Sequence, residues 1–230
     1  MAQYFDKFSS DYKTLLDGSL GITGFDTDYF PTAKIKTLAR LFPELCGQPI
    51  RILDFGCGTG SLYPPIKKIF PKATYSGTDL ADKMVQEART LNQVPDAFFE
   101  MSQELWKQES YDVIIAANVF HHIPHREHLT ILKELRSLLT PTGKFILWEH
   151  NPWNPFTQKI VRDCVFDKDA VLVSPFQSKR LGRKTGFSDM QIIFTTFFPK
   201  SLAFMTVLEP WLEWLPLGGQ YLLVAQNPKK

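Results

Sequence analysis

The stretch Asp54-Phe55-Gly56-Cys57-Gly58-Thr59-Gly60 carries the densest chemical signal in the chain. It closes a short apolar run, Ile50 to Phe55, and opens a helical segment. Glycines there let the backbone turn sharply and come close to a ligand. The spacing is G-x-G-x-G, and Ser61 stands where a dinucleotide fingerprint has its third glycine. No G-K-[ST] follows, so a phosphate-binding P-loop is excluded. Asp54, just ahead of the first glycine, would repel a pyrophosphate. A carboxylate in that place suits a ligand with an amino group and a sulfonium cation.

A second acid, Asp79, ends the segment Tyr75-Ser76-Gly77-Thr78-Asp79-Leu80. Its position suits a carboxylate accepting hydrogen bonds from ribose hydroxyls. The competing reading is a charge at a helix N-terminus. His121 and His122 follow the apolar run Tyr111 to Ala117. Histidine titrates in the range a general base needs, although paired histidines also pack locally. Glu149, His150 and Asn151 open the sequence Glu149-His150-Asn151-Pro152-Trp153-Asn154-Pro155. Three polar side chains gather there, either to meet a second reactant or as a turn stabilised by Asn and Pro.

These groups need elements that bring them to one edge. Strand-like segments read as Ile50 to Phe55, Ala73 to Thr78, Ala97 to Met101, Tyr111 to Ala117, Lys144 to Trp148, Met190 to Phe198 and Tyr221 to Gln226. Helical segments alternate with the first strands: Leu62 to Phe70 with Pro64 and Pro65 in its first turn, Asp82 to Leu91, and Glu127 to Leu139. Lys179 to Thr185 ends a helix at Gly186, a C-terminal glycine cap. Pro141-Thr142-Gly143 reads as a turn. The alternation implies an α/β fold, a seven-stranded, mainly parallel, doubly wound sheet with helices on both faces. Ligands bind such sheets beyond the carboxyl ends of the strands, where the residues above fall.

With 26 basic and 24 acidic residues the net charge is +2, and no Lys/Arg stripe calls for nucleic acid. Lys179, Arg180, Arg183 and Lys184 read as a solvated helix face. Cys46, Cys57 and Cys164 have neither disulfide nor zinc spacing, so no metal centre is expected, and free thiols fit the cytoplasm. The first residues lack the apolar core of a signal peptide. The aromatic content of 13% reads either as a Phe-rich core or as an apolar ligand pocket.

Taken in order, four motifs resemble those of class I, Rossmann-like methyltransferases that use S-adenosylmethionine. They are Ile52 to Gly60, Tyr75 to Leu80, Tyr111 to Pro124, and Leu138 to Phe145. The resemblance covers about residues 50–150 and extends more loosely over 186–226. It implies S-adenosylmethionine as cofactor and a last strand running antiparallel. It implies cofactor contacts from Asp54, Gly56, Cys57, Gly58, Gly60, Asp79, Leu80, Met84 and Asn118. An acid that often follows the third strand in this family is replaced here by Met101 or Ser102, so the resemblance leaves the adenine contact to Ser102 or to backbone groups. The catalytic candidates are His150, His121 and Glu149.

The function expected is methyl transfer to a small or lipid-like molecule with an apolar portion. The alternative is a cofactor-binding sensor or partner subunit without catalysis; the glycine spacing and Asp54 disfavour a nicotinamide dehydrogenase. Residues 1–48 read as a helical lid, with Tyr4, Phe5, Phe8 and Tyr12 at helical spacing. Residues 49–230 form the main domain, with an insert at about 199–219 rich in Met205, Leu208, Trp211, Leu212, Trp214 and Leu215. That insert could line an acceptor pocket, meet a partner, or rest peripherally on a membrane surface. The expected acceptor pocket lies beside Asn118. Its expected walls are the N-terminal aromatic segment, the Glu149 to Asn154 turn, and the insert around Met205 to Leu217.

Overall fold

The computed structural model describes residues 23–228. The aromatic segment Tyr4 to Tyr12 lies outside the described residues. Seven strands form one sheet in the order β3-β2-β1-β4-β5-β7-β6. The strands are β1 (Arg51–Phe55), β2 (Thr74–Asp79), β3 (Phe98–Glu100), β4 (Tyr111–Ala117), β5 (Leu139–His150), β6 (Ser188–Thr195) and β7 (Gln220–Gln226). Pairing is parallel from β3 through β5, while β7 runs antiparallel to both β5 and β6.

Period-two alternation assigns each strand residue to a face. Ile52, Val113, Ile115, Ile146 and Trp148 point to one side. They meet Ile35 and Leu38 of α1 (Tyr29–Leu41), Ile66 of α2 (Tyr63–Ile69), and Val85 and Ala88 of α3 (Asp82–Asn92). Leu53, Phe55, Ile114, Ala116, Phe145 and Leu147 point to the other side. They meet Leu132 and Leu135 of α4 (His128–Ser137) and Phe187, which follows α6 (Pro175–Thr185). Between β5 and α6 lies α5 (Pro155–Asp163), capped by the Asn154 side chain on Phe156 N and Thr157 N. The prolines of α2 sit in its first turn, where no backbone N–H is needed. Gly186 closes α6 in the left-handed region at φ 90°.

Two strand boundaries depart furthest from the periodicity. β5 starts at Leu139 instead of Lys144, because the Pro141-Thr142-Gly143 turn is absorbed as an irregularity in the pairing. Asn227 holds that turn in place: Thr142 N donates to Asn227 O, and Asn227 N donates to Gly143 O. β6 stops at Thr195 because Thr196 takes φ 64°, and the Glu209 carboxylate then accepts from Thr196 N and Phe197 N.

The insert after β6 holds a 3-10 segment, Lys200–Leu208, and the short α7 (Glu209–Leu212). Its Glu213 carbonyl accepts from Phe194 N. The insert thus covers the outer edge of β6, where unpaired backbone groups would otherwise face water. Arg40 of α1 pairs with Glu213. Among the described residues no helix is long and apolar enough to cross a membrane.

Candidate active site

A cavity of about 1070 Å³ opens over the carboxyl ends of β1, β2, β4 and β5. Its floor is the loop from Asp54 to Leu62. Gly56 N and Cys57 N both donate to Thr78 O, which folds the loop back over β2. Gly56, Gly58 and Gly60 all have positive φ, but for different reasons. A Cβ on Gly56 would lie 2.4 Å from Val119 Cγ2, and one on Gly60 would lie 2.7 Å from the Phe98 ring. A Cβ on Gly58 would meet nothing within 4 Å. Two glycines are therefore required by packing. Gly58 faces open space in the cavity.

Asp54 shares the α1 side of the sheet with Ile52. It is 2% exposed, lines the cavity, and accepts a 2.7 Å hydrogen bond from Tyr75 Oη. Burial pushes its carboxyl up to about 7. The Tyr75 hydrogen bond and the Lys34 ammonium act against that rise, and Asp79 adds to it. Lys34, buried on α1, is pulled down to about 8 by burial, against the attraction of Glu149 and Asp54. Its ammonium lies 5.7 Å from the centre of the Trp148 ring. Asp79 accepts from Gly58 N and from Ala81 N, both at 2.9 Å. It locks the glycine loop to the start of α3 and also lines the cavity.

Beyond β4, Asn118 takes φ 58°, donates from its backbone to Trp148 O, and lines the cavity. Its side-chain Oδ1 is buried with no hydrogen-bond partner. Cys57, Leu80 and Met84 also line the cavity. Ser102 does not; it is exposed in a 3-10 turn, Met101–Gln103, and Met101 takes the cavity position instead.

The three catalytic candidates separate. Glu149 and His150 are consecutive on β5, so alternation sends them to opposite sides of the sheet. His150 lines the cavity beside Lys34. Glu149 is fully buried on the α4 side, where its carboxylate accepts from Phe120 N at 2.7 Å and Val119 N at 3.2 Å. Its other oxygen lies 2.5 Å from His121 Nδ1. His121 is 2% exposed and lies behind the cavity wall, whereas His122 is part of that wall. The gathering of Glu149, His150 and Asn151 expected from the sequence does not form. Asn151 is buried and donates from Nδ2 to Pro216 O and Gly218 O, tying β5 to the start of β7.

Of the three expected walls, the turn after β5 contributes, while the N-terminal aromatic segment lies outside the described residues. Phe30, Pro31 and Lys34 come from the chain before β1, and His150 comes from the end of β5. The insert around Met205 to Leu217 contributes nothing, because its bonds to Phe194, Thr196 and Phe197 hold it at the β6 edge. Its place is taken by Ile160 and Cys164, at the end of α5, and by Asp167.

Residues 53–145 match the family model described as a methyltransferase domain. Over these residues the chain is similar to a methyltransferase domain. A malonyl-[acyl-carrier protein] O-methyltransferase of Bacillus anthracis is 30% identical over 132 residues, which cover 48% of this chain and 49% of the relative. A trans-aconitate 2-methyltransferase of Escherichia coli O1:K1 / APEC is 29% identical over 120 residues, covering 51% and 46% respectively. The chain thus spans about half the length of the relatives it matches. A SAM-dependent methyltransferase from Thermotoga maritima superposes with a TM-score of 0.68, at 17% identity, over 98% of both chains. The sheet order with an antiparallel β7 is the class I methyltransferase fold.

S-adenosylmethionine is the cofactor of such domains, and two features of this one fit it. Gly58 leaves an open cradle that a Cβ would fill, and Asn118, whose buried Oδ1 has no hydrogen-bond partner, lines the cavity wall. Asp54 adds a carboxylate for the ligand's cationic groups.

Sequence reasoning about the methyltransferase domain missed Lys34 and Asp167. Lys34 adjoins Ile35 within an apolar stripe, where a lysine gives no sign of being buried. Asp167 lies in a 3-10 turn, Val165–Asp167, whose sequence has no periodicity to read.

Proposed function

We propose that the chain transfers a methyl group from S-adenosylmethionine to a small or lipid-like acceptor with an apolar portion. The observation that carries this is that one cavity is lined both by the glycine loop and by apolar side chains. Phe30, Ile123, Ile131 and Ile160 line it, and to these we assign the acceptor chamber. A volume of about 1070 Å³ exceeds what one ligand of ordinary size fills.

S-adenosylmethionine, when bound, supplies an activated methyl group on a sulfonium cation. The chain's own residues then have three tasks. Asp54 and Asp79 hold the cationic and ribose groups, while Gly58 lets the backbone approach. Asn118 Oδ1 accepts a hydrogen bond from the cofactor, and Met84, Leu80 and Met101 pack around its base. His150 and His122 face the acceptor, which the surrounding apolar wall aligns and shields from water. Burial pulls the His150 imidazole down to about 4, so it stands neutral and able to accept a proton.

The segment before β1 acts as the cover of the cavity, through Phe30, Pro31 and Lys34. The acceptor is a small molecule and not nucleic acid, in keeping with a net charge of +2. The named relatives act on malonyl and aconitate groups, both of which carry carboxyls. An acceptor with a carboxyl and an apolar tail fits the chamber. The cytoplasm suits a chain with free thiols.

The test is an assay of S-adenosylhomocysteine release with methyl-labelled cofactor and a panel of acyl thioesters, free carboxylic acids and phenols. Label should move to members bearing an apolar tail and a carboxyl. Cofactor binding with no transfer to any member would leave a binding protein without this activity.

A further inference from the structure

Behind the acceptor chamber, two histidines and a carboxylate converge. His121 Nε2 and His122 Nε2 each lie 3.4 Å from Asp167 Oδ1. One donor atom from each of the three residues falls within 4.8 Å of the others. The cluster is shielded: side-chain exposure is 1% for His121, 17% for His122 and 10% for Asp167. His122 and Asp167 line the cavity, so the cluster has a closed back and a front open to a ligand.

The support behind His121 decides which of its nitrogens faces forward. Glu149 Oε2 lies 2.5 Å from His121 Nδ1, and Glu149 is itself held by Phe120 N and Val119 N. A carboxylate on one ring nitrogen fixes the proton there and turns the lone pair of the other outward. That carboxylate–histidine arrangement is the usual support of metal-bound imidazole. Here it aims Nε2 at Asp167. For bonds of about 2.1 Å in tetrahedral geometry, neighbouring ligand atoms stand about 3.4 Å apart. Both contacts to Asp167 Oδ1 have that length.

We propose that His121 Nε2, His122 Nε2 and Asp167 Oδ1 bind one divalent transition-metal ion, of the zinc and cobalt class, with its open position toward the acceptor chamber. Two imidazoles and one carboxylate favour such ions over calcium or magnesium, which prefer oxygen. A dication balances the charges of Glu149 and Asp167, the two carboxylates that flank His121. Resting on the methyl-transfer reading above, the open position would take a carboxyl or enolate oxygen of the acceptor and hold it near the methyl group. Sequence inspection missed the site because it looked for cysteine spacing, and these ligands come from the end of β4 and a turn after α5.

The competing arrangement is a proton in place of the metal, with His121 as an imidazolium between the two carboxylates. The two can be told apart without any acceptor. Metal-stripped protein, free of any affinity tag, is titrated with cobalt(II) and followed by its visible d–d absorption, with zinc as competitor. One ion per chain should bind, giving the intense bands of low coordination, and zinc should displace it. His122→Ala and Asp167→Asn should each weaken binding by about 10–100-fold or more while the protein stays folded by circular dichroism. Glu149→Gln, where it folds, should weaken it by a similar factor. Failure of the folded protein to bind cobalt or zinc overturns the proposal, as does binding that both variants leave unchanged. Calorimetry with S-adenosylmethionine on the metal-stripped protein is read separately. Cofactor binding without metal binding defeats the metal site alone. Metal binding without cofactor binding defeats the methyl-transfer reading instead.

Discussion

Tyr75 Oη donates a 2.7 Å hydrogen bond to Asp54 Oδ2 inside a wall that leaves the carboxyl 2% exposed. Burial holds the Asp54 carboxyl at about 7, and the Tyr75 bond is the largest of the influences that lower it. A raised folded value means the folded chain takes up a proton that the unfolded chain releases. This group therefore stabilises the fold most below its unfolded value, and the contribution is lost as pH rises through about 7. Cofactor binding runs the opposite way, because the cationic ligand needs the ionised carboxylate.

Cofactor affinity should therefore be flat above about pH 7 and fall by about tenfold per pH unit below it. Tyr75→Phe removes a donor to the ionised form and should move the inflection upward. Calorimetry across the neutral range checks both. An affinity independent of pH through this range would mean that Asp54 does not meet the ligand's charge.

The glycine loop offers a clean separation of stability from binding. Gly58→Ala should cost about 1–2 kcal/mol of stability, from its φ of +53° alone. It should weaken the cofactor far more than that, since the new methyl enters the cradle. Gly56→Ala should do the reverse, driving a Cβ into Val119 Cγ2 and lowering the melting temperature sharply. Thermal melts with and without S-adenosylmethionine measure the two effects. Equal cofactor loss in both variants would place the ligand elsewhere on the loop.

Much of this domain was legible in the sequence where a local rule governs the outcome. The run Ile52 to Phe55 and the glycines after it fix a buried strand and a sharp turn, and both formed. Gly186 needed only the left-handed cap. The acceptor side was less legible, because it depends on which face of the sheet each polar residue occupies. Glu149 and His150 are neighbours in the chain, so they look like one cluster until alternation separates them. Ser102 and Met101 likewise differ by one residue, and the 3-10 turn decides which one faces the cavity. The insert's apolar residues suggested a pocket wall, yet Phe204, Trp211 and Trp214 stand exposed at the far edge. Hydrogen bonds donated to Glu209 and Glu213 settle that, and no apolar pattern reports them.

Asp79 carries two duties that substitution can divide. Its carboxylate holds Gly58 N and Ala81 N, and it lines the cavity where ribose hydroxyls would reach it. Asp79→Ala should weaken cofactor binding by about 1.5–3 kcal/mol, the scale of hydrogen bonds to a charged group. It should also lower the melting temperature of the free protein, because the loop loses its tie to α3. Asp79→Asn keeps one acceptor and should recover part of the stability but little of the affinity. If Asn restores affinity as well, the ribose does not depend on the charge.

The last prediction sets His150 against its neighbour Glu149. His150 lines the cavity on the α1 side of the sheet, and its ring centre stands 5.2 Å from that of His121. Glu149 faces α4 and holds three donors from the β4 end: Val119 N, Phe120 N and His121 Nδ1. Removing a buried carboxylate strands those three donors, so Glu149→Ala should destabilise the fold by about 3–5 kcal/mol. His150→Ala leaves no such debris and should melt close to the parent protein. Its methyl-transfer rate should nonetheless fall by about 100-fold or more, the scale for losing a positioned proton acceptor. Cofactor affinity, measured by calorimetry on the same preparation, should stay within about twofold of the parent, a small change by the energy scale of binding. A loss of cofactor affinity as large as the loss of rate would move His150 out of the acceptor half and into the cofactor's. An unchanged rate would show that methyl transfer needs no proton acceptance from His150.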